Sequence, residues 1–194
     1  MGLKGVALTE HDTLTGHIRA INYYKNKIEK ILKEKEIDGS SMTMDEKIVA
    51  ADFRLVLGNE IYITREGLCS ENHEKGEKFY HCILLAKDEI GYRQIRELSS
   101  RAWERGYMRM IMRTPTYLSD IDEIVGAEPG HLVCTTACIG GFCGVMFQHY
   151  RETKEEKFLA AIDQYIDGMI GTFGKDFYIE LQPSRMEDQI EYNQ

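Results

Sequence analysis

Leu55-Val56-Leu57-Gly58-Asn59-Glu60-Ile61-Tyr62-Ile63 is an apolar run that carries one acidic residue near its middle. The run reads as a β-strand. A carboxylate inside such a strand costs several kcal/mol unless it is paired or bound to a cation. Glu60 is therefore the residue from which both the fold and the chemistry can be sought.

Towards the N-terminus, Gly5 to Thr9 (GVALT) is a second apolar run, ending in Glu10-His11-Asp12. Leu14, Ile18, Ile21, Ile28 and Leu32 then recur at helical spacing. Five lysines from Lys25 to Lys35 interleave with Glu29, Glu34 and Glu36, the pattern of a solvated helix face rather than a phosphate patch. Asp38-Gly39-Ser40-Ser41 closes this helix in a loop.

Towards the C-terminus, a polar loop with His73 leads to the strand Phe79 to Ala86 (FYHCILLA). Tyr92, Ile95, Leu98 and Ala102 mark a helix. Thr114-Pro115 reads as a helix cap with proline at the first helical position. His131 to Thr136 is the next strand. Thr153 and Glu156 have capping-box spacing ahead of Phe158, Ile162, Tyr165, Ile166 and Met169. Phe177 to Leu181 is a fifth strand, and Met186 opens a last helix. Strands alternating with helices predict a parallel β/α architecture, an incomplete barrel rather than an open dinucleotide-binding sheet. Neither G-x-G-x-x-G nor a P-loop occurs. No internal repeat or domain boundary is visible.

The 194 residues are 43% apolar with three prolines, enough for one cored domain and unlike a disordered chain. No run approaches the ~20 apolar residues of a membrane helix, and no secretory signal is visible. Cys69, Cys82, Cys134, Cys138 and Cys143 are odd in number and lack C-x-x-C spacing. That disfavours a disulfide scaffold and a zinc ribbon, and fits a reducing cytoplasm. A net charge of −8 makes the chain a poor non-specific binder of nucleic acid, so contact with DNA must be local or carried by metals or other domains.

Glu10/His11/Asp12, Glu60, His81 and Cys138 fall in or near the strands, where β/α folds gather functional groups at C-terminal strand ends. Imidazole, carboxylate and thiolate together suit zinc, while imidazole and carboxylate alone also accept manganese or iron. A single histidine beside a strand is more often structural, and a lone cysteine is most often a small core residue. Spacing alone leaves a shared metal site and separate structural roles equally open.

Five blocks resemble, in order, the PHP domain of bacterial DNA polymerase III alpha subunits. Gly5 to Gly16 is similar to A-L-T-D-H-G-x-L-x-G, and Gly58 to Ile63 to G-x-E-x-Y-x. Tyr80 to Lys87, followed by Gly91-Tyr92, resembles Y-H-x-x-L-L-A-K with a G-Y pair. Thr136 to Gly141 resembles S-A-C-L-G-G, and Phe177 to Gln182 resembles F-Y-L-E-L-Q. The resemblance implies a distorted, TIM-like β/α barrel of the PHP type over residues 1–194. It implies His11, Glu60, His81 and Cys138 as ligands of divalent metal, zinc first, with manganese, iron or magnesium as alternatives. Glu10, standing where the family has Asp, and Asp12 are secondary candidates.

The family's early H-x-H and late D-x-H motifs do not occur. The chain is therefore expected to be cut at both ends, as a gene fragment, a shortened product or a split phage or prophage polymerase. The length of Lys25 to Phe53 hints at a phage-borne member. The implied role is part of a replicative polymerase, meeting DNA and replisome subunits through the wider enzyme, with a vestigial 3′–5′ exonuclease or phosphoesterase site. At most one or two metals and little nuclease activity are expected. A stand-alone phosphoesterase on a small ester such as histidinol phosphate, or a non-catalytic scaffold, are the alternatives. Arg101, Arg105, Arg109 and Arg113 recur every four residues. They read as an ordinary exposed face more readily than as a phosphate-tracking stripe, whose contacts would be Arg109 and Arg113.

Overall fold

The computed structural model describes residues 2–64, 79–107 and 114–194. Cys69, His73, Arg109 and Arg113 lie outside the described residues. In chain order the elements are β1 (Gly5–His11), α1 (His17–Glu34), α2 (Met44–Ala51), β2 (Arg54–Thr64), β3 (Tyr80–Ala86), α3 (Glu89–Tyr107), β4 (Pro115–Tyr117), α4 (Leu118–Ala127), β5 (Leu132–Thr135), α5 (Phe142–Thr153), α6 (Lys157–Phe173), a 3-10 turn (Gly174–Asp176), β6 (Phe177–Tyr178) and α7 (Glu187–Tyr192). No described helix is long and apolar enough to cross a membrane.

The six strands form one mixed sheet in the order β1-β2-β3-β5-β6, with β4 beside the far end of β2. β1 and β4 run parallel to β2, and β6 parallel to β5. The expected all-parallel sheet is corrected at β3, which is antiparallel to both β2 and β5. Ile63 lies opposite Tyr80, and the pairing runs antiparallel from there to Gly58 opposite Leu85. Among the described residues the sheet is open.

Strand alternation divides β2 and β3 into two unlike faces. Ile61 and Ile63, with Cys82 and Leu84, enter a core completed by Ile95, Leu98, Ile121, Val125, Met169 and Phe173 from α3, α4 and α6. The opposite face carries Glu60, Tyr62 and His81. A second, smaller cluster of Ile28, Leu32 and Ala51 joins α1 to α2. At the start of α1, His17 is wholly buried, 3.0 Å from the Gly58 carbonyl and 3.3 Å from the Tyr92 hydroxyl. Burial pushes its imidazole below the usual range despite the Gly58 carbonyl and the Glu10 carboxylate.

Several expected boundaries shift for local reasons. Pro115 opens β4 instead of a helix, and α4 starts at Leu118 with the Tyr117 N–H donating to Asp120 Oδ2 at 2.9 Å. Thr153 ends α5 and donates to the His149 carbonyl, so the expected capping box there does not form. A true box occurs at Thr43 and Glu46, ahead of α2. The fifth strand stops at Tyr178 because β5 ends at Thr135 and the next turn, through Ala137 at φ 57°, leaves no ladder to extend.

α3 is fastened at both ends. Gly91 rests on β5 so closely that a Cβ would lie 2.0 Å from the His131 carbonyl oxygen. Further along, Arg105 grips the buried Asp120 carboxylate and lies over the Tyr117 ring. Arg101 bonds both Glu123 oxygens at 2.8 Å and Glu97 at 3.0 Å. These two arginines tie α3 to α4 and are occupied by carboxylates. Burial opposes ionisation of Asp120, but Arg105 and the Tyr117 N–H outweigh it and hold the carboxyl below its usual range.

Two outcomes follow from this packing. Gly91→Ala is expected to cost about 3 kcal/mol through backbone overlap. Gly168→Ala, inside α6 where a Cβ meets nothing within 4 Å, should gain about 0.7 kcal/mol. Urea midpoints of the two variants measure the contrast. For Asp120 the depressed folded pKa means that its contribution is full above about pH 3.9 and fades as pH falls through the lower folded value. Asp120→Asn should lose about 2 kcal/mol at neutral pH and show a shallower acid limb, read from unfolding between pH 2 and 7.

Candidate metal centre

Three neighbouring strands and one loop bring four of the sequence-predicted residues to the polar face of the sheet. His11 ends β1 and lies in register with Glu60 of β2, and His81 of β3 faces Tyr62, one diagonal step away. Cys138 follows β5. Glu60 Oε1 lies 2.8 Å from His81 Nδ1, and Glu60 Oε2 lies 3.3 Å from His11 Nε2. Cys138 Sγ is 3.2 Å from His81 Nδ1. One donor atom each from Glu60, His81 and Cys138 lies within 4.8 Å of the other two. His11 joins through Glu60 and is more open, its side chain 59% exposed against 13% for Glu60.

The surroundings orient these groups. The Tyr62 hydroxyl sits 3.0 Å from His11 Nδ1, which leaves Nε2 facing the carboxylate, and the Tyr62 ring meets His81 edge-on at 4.9 Å. Burial raises the Glu60 carboxyl; His11 pulls it back, and the carboxylates of Glu180 and Asp12 add to the rise. An anion placed there gains from a positive charge beside it.

Cys138 depends on a tight loop. Ala137 takes the left-handed conformation at φ 57°, which costs a non-glycine residue about 1 kcal/mol or more. The Gly141 N–H donates to the Cys138 carbonyl at 2.8 Å and the Gly140 N–H to its sulfur at 3.3 Å. A Cβ on Gly141 would lie 2.1 Å from the Thr136 carbonyl oxygen, so this position has no room for one. The His81 N–H donates to the Gly140 carbonyl at 3.2 Å and ties the loop to β3.

The secondary candidates go elsewhere. Glu10 points off the opposite side of β1 and accepts the Gly16 N–H at 2.8 Å, at the positive end of α1. Buried Asn59 holds the turn that follows by donating to the Glu10 and Thr13 carbonyls. Asp12, at φ 57°, is pinned by its N–H to the Glu60 carbonyl and by Trp103 Nε1 donating to its own carbonyl at 2.7 Å. It stands near Glu60 without entering the group of three. Two residues of this face escaped the sequence reading. Tyr62 looked like another strand aromatic. Glu180 carried the signal that singled out Glu60, an acid within the apolar run Phe177 to Leu181, but in a shorter stretch.

The donor set can be tested against a cation. Zinc bonds of about 2.0–2.3 Å give tetrahedral edges of roughly 3.3–3.6 Å. The observed edges of 2.8 and 3.2 Å fall short of their expected lengths by a few tenths of an ångström, and Glu60 and Cys138 are on side chains that can part by this much. Imidazole, carboxylate and thiol together fit zinc, and the sulfur counts against magnesium.

The chain is similar to several known proteins. The probable DNA polymerase YorL of Bacillus subtilis is 35% identical across all of this chain, as is a DNA-directed DNA polymerase of Bacillus phage SPbeta. A DNA polymerase III subunit alpha of Borreliella burgdorferi is 28% identical across 96% of it. The chain spans only 13–14% of the length of these relatives. A family profile described as the PHP domain matches residues 1–184; the chain belongs to the PHP domain family.

Proposed function

We propose that this chain is the metal-binding PHP region of a replicative polymerase of the DNA polymerase III alpha type, cellular or phage-borne. The observation that carries the reading is a desolvated glutamate held between two imidazoles and next to a thiol, in a chain whose relatives bear polymerase names. Residues 1–194 act as one domain, a distorted β/α barrel that is incomplete within this span. His81, Glu60 and Cys138 hold a zinc ion, with His11 as the fourth and most accessible donor. When bound, the cation would polarise a phosphate ester and supply hydroxide at neutral pH.

The protein's own groups set what that site can do. Tyr62 fixes the His11 ring, Glu60 lends negative charge, and the Gly140 N–H steadies the Cys138 sulfur. With four donors, the region holds one or two ions and plays a vestigial exonuclease role or a structural one. DNA and other replisome subunits meet it through the wider polymerase in the cytoplasm. Arg109 and Arg113 remain proposed phosphate contacts outside the described residues, while Arg101 and Arg105 are occupied by acids.

Metal analysis of the purified, reduced chain is the first test. About one zinc per chain is expected, with His81→Ala and Cys138→Ser each weakening affinity about 100-fold. Equal zinc content in wild type and both variants would sink the assignment. Activity separates the readings. On 3′-ended single-stranded DNA and on p-nitrophenyl phosphate, turnover should not exceed that of Glu60→Gln. Fast, chelator-sensitive turnover would favour a working phosphoesterase instead.

A further inference from the structure

Glu180 belongs to none of the donors, yet it faces the segment that presents Cys138. Its Oε2 accepts the Thr135 hydroxyl proton at 2.7 Å. That same hydroxyl oxygen accepts the Ala137 N–H at 3.2 Å. Ala137 is the left-handed residue immediately before Cys138. The backbone of Glu180 closes a second tie, its N–H donating to Thr136 Oγ1 at 3.0 Å, while the Thr136 N–H donates to the Tyr178 carbonyl. The other carboxylate oxygen is held by Gln182 Nε2 at 2.7 Å, and the Gln182 carbonyl by Asn193 Nδ2 at 2.8 Å. Asn193 is in turn bonded to Gln189 of α7, which is buried.

We propose that Glu180 is the positioning residue for Cys138, acting through the Thr135 hydroxyl on the left-handed turn at Ala137. The two carboxylate oxygens are used by Thr135 and Gln182, so the side chain anchors the loop and does not join the ligand set. A hydroxyl can receive the Ala137 N–H while its own proton goes to an acceptor. The carboxylate is that acceptor, and it fixes the rotamer in which the Thr135 oxygen faces the turn. Cys138 Sγ then lands against His81 Nδ1 and the Gly140 N–H. α7 backs the relay from behind, so the C-terminal helix and the thiol are coupled along one hydrogen-bonded path.

The proposal rests on the metal-site reading only for its purpose, and the experiment separates the two. In reduced, chelator-treated protein, Glu180→Ala and Thr135→Val should each speed hydrogen exchange at the Ala137 to Gly141 amides about tenfold, with α3 unchanged. Glu180→Gln, whose amide oxygen can still accept from Thr135 once the Gln182 amide turns over, should stay within about threefold of wild type. With cobalt as the probe, Glu180→Ala should lose about tenfold in affinity and weaken the thiolate-to-cobalt charge-transfer band, and Glu180→Gln should restore both. Unchanged exchange in Glu180→Ala, or acceleration spread equally over α3, would overturn the proposal. So would Glu180→Gln behaving like Glu180→Ala, which would assign the effect to charge alone. A wild type without the thiolate band but with the local exchange effect would sink the metal reading and leave the positioning role standing.

Discussion

The structure turns on the two-sidedness of β2. This strand is flanked by β1, β3 and β4, and its alternate residues must satisfy opposite demands. Ile61 and Ile63 enter the core, and Glu60 and Tyr62 face the polar cluster. A slip of one residue would put a carboxylate among isoleucines and leucines, at a cost of several kcal/mol. The register that protects the core is therefore the same register that aligns Glu60 with His11 and sets it diagonal to His81. Fold stability and site geometry are secured together, and neither is free to change alone.

The cysteines show the same division. Cys82 and Cys134 lie wholly buried with their sulfurs 3.5 Å apart, and burial drives the Cys134 thiol far above its usual range. Cys143 is pushed up to about 12, again mainly by burial. The Cys134 and Cys143 thiols therefore stay protonated and behave as small apolar groups. Cys138 differs in its neighbours, an imidazole nitrogen and a backbone N–H, and in its partial exposure. Among the described cysteines it is the one that stands beside other possible metal donors, Glu60 and His81.

Much of this was legible beforehand because the signals were local and strong. Glu60 stood out as an acid in an apolar run, and β1, β2, β3 and β5 were long or apolar enough to be read with edges off by at most two residues. What stayed hidden depended on partners. The reversal of β3 cannot be read from its own residues, since strand direction is set by its neighbours. α5 carries Gly144 and only weak patterning, and α2 was missed although Thr43 and Glu46 marked its start. Pro115 and Thr153 satisfied sequence rules for helix starts; pairing with β2 overrode the first, and a local bond to the His149 carbonyl at the end of α5 overrode the second. Glu10 matched a family position, yet side alternation turned it to the end of α1. Glu180 shows the limit most clearly: its part follows from a hydroxyl on β5 that no spacing reveals.

The separate cluster that joins α1 to α2 has a further meaning. Ile28, Leu32 and Ala51 bury one another, while α1 is secured at its first residue, where His17 meets Gly58 and Tyr92. Such a hairpin behaves as an outrigger: cohesive within itself and moored at its two roots, His17 on one side and Asp52, paired with Lys4, on the other. Its outer end can be lengthened, shortened or redecorated without retuning the donors on the sheet.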